Sequence, residues 1–267
     1  MPSSMSHWER IRASLAGEET DRVPISLWRH WANADETAKG LSAATVRWQR
    51  EFDFDLVKLS PTGTYGVEDW GVKTIFVPNR YGVRNIVEFA VTSPEAWPSL
   101  EPLNPLVGSL GTQIRALQMT AEELADSVPI IQTIFSPLTT ARKLAGDRAL
   151  ADLRLYPELL KEGLKVIAET TAEFAKASLH AGAHGLFFAT RCITYREMSE
   201  EEYQEFGEPF DRLVLDAVRE EAQILMLHAH GEDLMFDLVT NYPVDAISWH
   251  DRRTDLSLKE AQERFSG

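Results

Sequence analysis

Two histidines stand at the end of a short apolar run, QILMLHAHGEDL, which spans Gln223 to Leu234. Side chains at i and i+2 of a β-strand point to the same face, so His228 and His230 would project side by side from one strand tip. Two imidazoles so placed can supply half of a zinc site, because Zn²⁺ binds nitrogen ligands at about 2.0–2.1 Å. They can also bind substrate or move protons, or one of them can bond to a neighbouring carbonyl group. The sequence leaves these three roles open.

A third ligand for such a metal site would have to come from a neighbouring strand tip. The sequence offers Glu232, Cys192 and His250 at such positions, with Asp251 as a hydrogen-bond acceptor behind the ligands. Cys192 is the only cysteine of the chain, which excludes an internal disulfide and any cysteine-rich zinc or iron–sulfur site. Because nothing in the sequence indicates an activated thiol, we expect an ordinary reduced cysteine at this position.

The predicted strand ends also carry a set of polar and basic residues. Parallel α/β barrels place their chemistry at the carboxyl ends of the strands, so these residues are candidate substrate ligands. The set comprises Arg29, Ser60, Lys143, Thr190, Arg191 and His250. It predicts a pocket for a small molecule that bears carboxylates, with Arg29, His228 and His230 as the candidate catalytic residues.

The composition bounds the class of protein. With 267 residues and 44% hydrophobic content, the chain can bury a substantial core. A formal net charge of -14 repels phosphate backbones and anionic lipid, which argues against nucleic acid or a membrane surface as a partner. The N-terminal stretch lacks the apolar core of a signal peptide, and no apolar run reaches the length of a membrane span, so we expect a cytoplasmic protein.

Short apolar segments that predict strands alternate along the chain with amphipathic segments that predict helices. The predicted strands are 23–28, 55–60, 128–135, 184–190, 223–229 and 244–249. The predicted helices are 42–52, 110–125, 156–182, 208–222 and 256–267, with Gly182 in position to end the third of them. The strands are hydrophobic almost throughout, which favours a parallel sheet buried on both faces.

Residues 71–78 and 83–92 flank NRYG and predict an antiparallel hairpin inserted into this α/β pattern. Repeated strand–helix–strand units leave a doubly wound open sheet or a (β/α)₈ barrel. Neither a GxGxxG motif nor a P-loop follows the first strand, so we favour the barrel. The sequence shows no internal repeat and no Gly/Ser-rich linker, so we expect one domain over 1–267. Because only six barrel strands are predicted, we expect a TIM-type barrel that is incomplete at the C-terminus. It would be either a fragment or a barrel completed by another chain.

Several segments together resemble the uroporphyrinogen decarboxylase family, a barrel family that also contains zinc-dependent methyltransferases working with corrinoids. The segments are DRVPISLWRHW, EDWGV, FSPLTTARKLAG, GAHGLFF followed by SEEEYQEFGEPF, and LHAHGE followed by VDAISWHDRRTDLSLKEAQERF. They span nearly the whole chain in the right order. The resemblance implies that Arg29 binds substrate carboxylates. It also implies that His228 and His230 occupy the positions of the methyltransferases' His-x-Cys element, with histidine in place of cysteine.

The resemblance implies an enzyme. We order three hypotheses for the function, two of them enzymatic and one without catalysis. The first is a lyase of porphyrin biosynthesis that decarboxylates acetate side chains of a uroporphyrinogen-type tetrapyrrole, or a related oligocarboxylate, without a cofactor. The alternative is methyl transfer with a corrinoid methyl carrier, a zinc ion and a corrinoid protein as partner. The second alternative is a barrel that binds a ligand without catalysis, because family identities expected near Ser60, Lys143, Thr190 and Arg191 are not kept. A small anionic substrate is expected in every case, and a homodimer is a candidate assembly.

Overall fold

Seven strands are present in the part of the chain that the computed structural model describes, residues 4–265. They are β1 (Val57–Leu59), β2 (Lys73–Ile75), β3 (Asn85–Glu88), β4 (Ile130–Phe135), β5 (Gly185–Thr190), β6 (Ile224–Ala229) and β7 (Ala246–Trp249). Within these residues, five strands form one parallel sheet in the order β1-β4-β5-β6-β7, and β2 pairs with β3. The fold is therefore α/β with an incomplete TIM-type barrel, as the sequence predicts.

Ten α-helices lie between and beside the strands of residues 4–265. They are α1 (His7–Leu15), α2 (Ala38–Phe52), α3 (Gly108–Leu124), α4 (Pro137–Ala145), α5 (Arg148–Leu155), α6 (Pro157–His180), α7 (Glu200–Phe206), α8 (Glu208–Asp216), α9 (Phe236–Val239) and α10 (Leu258–Arg264). Helix α1 begins with a capping box between Ser6 and Glu9. Helix α6 begins with Pro157, and Gly182 follows it with φ +103°, a left-handed conformation that suits glycine. No helix in the described range is long and apolar enough to cross a bilayer.

The sheet separates two apolar layers. Successive side chains of a strand point to opposite faces, so Leu186 and Phe188 pack against the helices while Phe187 and Ala189 face the other side. On that other side, a smaller apolar cluster fills the base of the open barrel beneath α1. Its buried members are Ile11, Leu56, Ile131, Phe187, Ala189 and Ile224. The same face continues toward the strand tips with polar side chains.

A buried ion-pair cluster fastens α1 to the start of β1. The carboxylate of Asp55 accepts hydrogen bonds from Arg10 Nη1 at 2.6 Å, from Ile25 N at 2.7 Å and from Arg22. His7 Nδ1 lies 2.9 Å from the same carboxylate. Although burial alone would raise the pKa of Asp55, the hydrogen bonds from Arg22 and His7 lower it well below its usual range. Asp55 is thus a charged structural anchor at the end of the sheet away from the strand tips.

Two elements differ from the sequence prediction. Residues 23–28 do not form a strand; their links to the β1 segment include Ile25 O with Asp55 N and Ser26 Oγ with Leu56 O. Pro24 has no N–H to donate, and Ile25 N donates to the carboxylate of Asp55 rather than to a backbone carbonyl of β1, so no regular ladder forms here. The helix predicted over 208–222 ends at Asp216, because the next residues form tighter i to i+3 turns.

The predicted hairpin is confirmed as β2 and β3. The helix predicted over 256–267 is seen as α10, and residues 266–267 lie outside the described range.

Candidate functional site at the strand tips

Three histidine side chains meet where β6 and β7 end. The register between β6 and β7 pairs His228 with Ser248. Because side chains on one face of a strand recur every two residues, His230 and His250 lie next to each other one such step beyond this pair. The ring centroid of His228 lies 5.9 Å from the ring centroid of His230 and 5.5 Å from that of His250. The centroids of His230 and His250 lie 4.9 Å apart. The structure therefore brings His250 to the predicted histidine pair.

The surroundings of this three-histidine cluster favour the neutral form of His228 and His230. Burial lowers the pKa of His228 to about 3, with the two neighbouring histidines adding to the effect. Its Nδ1 lies 3.1 Å from Ser248 Oγ, and its ring stacks on Phe187 with centroids 5.0 Å apart. Burial also lowers the pKa of His230. Neutral imidazole nitrogens can accept a proton or bind a metal ion.

Lys58 lies on the same face of the sheet as His228. Its Nζ is 4.6 Å from the ring centroid of Phe187, on which His228 stacks, and 5.2 Å from that of Trp28. The amine bonds to Ser60 Oγ at 2.9 Å, and within residues 4–265 no carboxylate pairs with it. Burial lowers the pKa of Lys58 to about 7. A large fraction of this amine is therefore neutral near physiological pH.

Further basic side chains surround the cluster. Burial lowers the pKa of His30, with a contribution from the charge of Lys58, and its Nδ1 lies 3.1 Å from Pro61 O. Lys143 donates to Gly63 O, and burial lowers the pKa of its amine well below the usual value, aided by Arg191. The guanidinium of Arg191 is exposed, with Nε 3.7 Å from a Glu197 oxygen. The strand tips thus form a basic site in an acidic protein.

The structure does not bring three of the predicted site residues to the cluster. Cys192 is fully buried among apolar side chains, and burial raises the pKa of its thiol, so its predicted role as a metal ligand is corrected. Glu232 Oε2 pairs with Arg196 Nη2 at 2.7 Å instead of facing the imidazoles. Thr190 points to the helix side, because it shares the strand face of Phe188.

The buried neighbours of Thr190 form a separate polar network. The hydroxyl of Thr190 lies 3.2 Å from Tyr203 Oη. Tyr203 and Tyr242 donate to Asp211 Oδ2 at 2.7 and 2.9 Å. Burial raises the pKa of Asp211 to about 7, partly offset by these two hydrogen bonds. This network joins α7 and α8 to the sheet.

Two other predicted residues lie beside the site. Ser60 is buried and holds the amine of Lys58, so its contact with a ligand would be indirect. Arg29 is exposed, with its Cζ 5.0 Å from the ring centroid of Trp31, and within the described residues it has no carboxylate partner. It remains a candidate ligand for an anionic group at the open side of the mouth.

The donor set of the three-histidine cluster fits the chemistry of zinc, because three imidazoles are a known zinc ligand set. The donor atoms do not converge in this structure. In the described part of the chain, no three His, Cys, Asp or Glu side chains are grouped so as to hold a metal ion. Binding would require the rings to rotate about their side-chain bonds. The predicted zinc ligation by His228 and His230 therefore stays a prediction.

Lys58 and His30 stand at predicted strand ends, but no specific role is assigned to either of them from the sequence. A signal for Lys58 exists, since it is a charged residue inside the apolar run LVKL and shares a strand face with Leu56 and Ser60. A charged side chain at an inward position of a strand marks a functional candidate. His30 follows Arg29 in the loop after 23–28, and its sequence neighbours give no sign that Pro61 anchors its ring.

The sequence model of the family described as Uroporphyrinogen decarboxylase (URO-D) matches residues 6–266. The chain is 22% identical over 266 residues to a protein named Methylcobamide:CoM methyltransferase MtbA from Methanosarcina mazei, an alignment that covers 93% of this chain and 77% of that protein. It is 20% identical over 240 residues to the protein of the same name from Methanosarcina acetivorans, with coverage of 84% and 69%.

A solved structure, described as a methyltransferase from Methanosarcina mazei, resembles this fold. The TM-score is 0.82 at 18% identity, and the superposition covers 98% of this chain and 80% of that protein. This likeness supports the barrel architecture.

Proposed function

This chain belongs to the uroporphyrinogen decarboxylase family, and from that membership we propose that it is a methyltransferase that moves a methyl group from a methylated corrinoid to a thiol. The observation that carries the proposal is the three-histidine cluster beside Lys58, which offers neutral nitrogens for binding and deprotonating a thiol. The names of the two relatives support methyl transfer over the decarboxylation that the sequence analysis places first. A protein that carries the corrinoid is the expected partner.

Lys58 is proposed as the group that takes the thiol proton. The neutral amine accepts the proton at Nζ, and the resulting ammonium pairs with the thiolate it has formed. The thiolate sulfur then forms a bond to the methyl carbon, while the carbon–cobalt bond breaks and leaves its electron pair on cobalt. The apolar rings of Phe187 and Trp28 beside Nζ lower the polarity of its surroundings, which strengthens the ammonium–thiolate pair.

The remaining basic residues are proposed to orient the substrate. The exposed guanidinium of Arg191 suits a charged group on the thiol substrate, since a guanidinium binds planar or tetrahedral anions through several N–H donors. His228, His230 and His250 are the residues that would hold zinc. A bound zinc ion would favour the thiolate form of the substrate by binding its sulfur.

The proposal is tested with methylcobalamin as methyl donor and 2-mercaptoethanesulfonate as acceptor. The absorbance change of the corrinoid and the mass of the S-methyl product report the transfer. We expect turnover by the wild-type protein and a loss of at least about tenfold in Lys58→Met, a loss typical of removing a proton-transfer group. His228→Ala should also lower turnover, because it removes one of the nitrogens proposed to bind the thiol. Lys165→Met and His180→Ala, at exposed positions on α6, are the matched controls.

The competing activity is measured in parallel. Incubation with uroporphyrinogen, followed by a count of the remaining carboxylates, reports decarboxylation. Loss of carboxylates together with no methylation of the thiol would replace this proposal with the decarboxylase. Zinc content, measured by elemental analysis of the wild type and of His228→Ala, tests the metal separately, because methyl transfer through Lys58 does not require it.

A further inference from the structure

A second polar groove lies outside the three-histidine cluster, where the segment after 23–28, the loop after β1, the hairpin and the start of α3 meet. It has a volume of about 460 Å³. Its charged lining residues are Asp35, Glu36, Glu68, Asp69 and Arg84. Four carboxyl groups therefore face one guanidinium, and we call this region the acidic groove.

Three of the four carboxyl groups already have partners. Glu36 Oε1 accepts from Arg84 Nη1 at 3.1 Å. Asp69 caps α3 by accepting from Ser109 N at 2.8 Å, and Glu68 Oε1 accepts from Thr64 Oγ1 at 2.8 Å. These contacts fix the shape of the groove. They do not saturate its acceptors, because each carboxylate oxygen can accept more than one hydrogen bond.

Two buried oxygens in the acidic groove have no partner among residues 4–265. They are Oδ2 of Asp35 and Oε1 of Gln113, in side chains that are only 4% and 2% exposed. Buried polar atoms without a hydrogen bond are rare, since each costs on the order of 1–3 kcal/mol. Burial accordingly raises the pKa of Asp35 to about 6, and the charge of Arg84 offsets this in part.

We propose that the acidic groove binds the ammonium group of a primary alkylamine. An ammonium group brings a positive charge and three N–H donors, which matches a lining that has four carboxyl groups and one guanidinium. Asp35 and Gln113, which carry the two unpartnered oxygens, are each more than nine-tenths buried. A ligand group that contacts these oxygens must therefore be small, as a primary ammonium on an alkyl chain is.

The position of the acidic groove links it to the mouth of the barrel without making it part of the thiol site. Thr62 lines the groove two residues beyond Ser60, and His30 Nδ1 contacts Pro61 O between them. An amine bound here would lie beside the loop that carries Ser60. The inference does not depend on methyl transfer, and amine binding can be measured without catalysis.

The experiment is a calorimetric titration of the full chain with putrescine at fixed ionic strength, with 1,4-butanediol as the uncharged analogue. We expect binding of putrescine and none of the diol. Asp35→Asn is expected to weaken binding at least tenfold. Asp216→Asn, an exposed carboxyl group at the end of α8, is the matched control and should bind as the wild type does.

A second variant guards against misfolding of Asp35→Asn. Glu68→Gln alters a partly exposed residue of the same groove and should weaken putrescine binding severalfold, with an unchanged circular dichroism spectrum. The inference is overturned if putrescine does not bind, or if both variants bind it as tightly as the wild type. It is also overturned if Mg²⁺ or Ca²⁺ binds in place of the amine and loses affinity in the same variants.

Discussion

Replacing Lys58 by methionine should stabilise the protein below neutral pH. Methionine keeps the apolar contacts with Phe187 and Trp28 and removes an amine that has no carboxylate partner in the described residues. The gap between the usual lysine pKa of 10.5 and the value of about 7 corresponds to about 5 kcal/mol, at about 1.4 kcal/mol per pKa unit. Because Lys58 is only partly buried in the folded protein, the net effect is smaller, and we expect on the order of 2 kcal/mol.

The sign of the pH dependence follows from the lowered pKa. Below pH 7 the lysine is charged in both the folded and the unfolded chain, so folding bears the full cost of burying the ammonium. This cost falls as the pH rises and is absent above 10.5, where both states are neutral. Urea denaturation of the wild type and Lys58→Met at pH 6 and pH 9.5 measures it. A methionine variant that is no more stable at pH 6, or a gain that does not shrink at pH 9.5, would refute the reasoning.

Three further changes test the fold by urea denaturation. Gly185→Ala should cost more than about 3 kcal/mol, since its Cβ would lie 1.8 Å from Ile224 O, whereas Gly63→Ala meets nothing within 4 Å and should stay within about 0.5 kcal/mol. Asp55→Asn should cost about 3–5 kcal/mol because it removes the buried negative charge that pairs with both Arg10 and Arg22, and a cost below 1 kcal/mol would contradict the anchor. Tyr203→Phe should cost about 1–3 kcal/mol by removing a hydrogen bond to buried Asp211, and no change would contradict that bond's contribution.

The parallel sheet could be predicted because its strands are apolar on both faces, a pattern typical of sheets covered by helices. The segment 23–28 has the same composition, yet it does not become a strand. A strand is defined by its backbone partner, and here Pro24 has no N–H while Ile25 N bonds to the side chain of Asp55, so no ladder forms beside β1. Composition alone does not report that partner.

The pairing of His228 with His230 could be predicted from the period of two along a strand. The same period implies that Thr190 shares a face with Phe188, but sequence does not tell which face of a doubly apolar strand lies inside the barrel. The position of His250 beside His228 and His230 depends on the register between β6 and β7, and no short-range sequence pattern determines that register. The lowered pKa of Lys58 depends on rings from Trp28 and Phe187, which are distant along the chain.

The pH dependence of thiol methylation tests the central claim most directly. With methylcobalamin and 2-mercaptoethanesulfonate, the wild-type rate should rise with pH through about 7, where the amine of Lys58 loses its proton, and then level off. Lys58→Met should lose this step and depend on the ionisation of the free thiol, at a higher pH. Wild type and Lys58→Met profiles with the same midpoint would contradict the assignment of Lys58 as the proton acceptor at the strand tips.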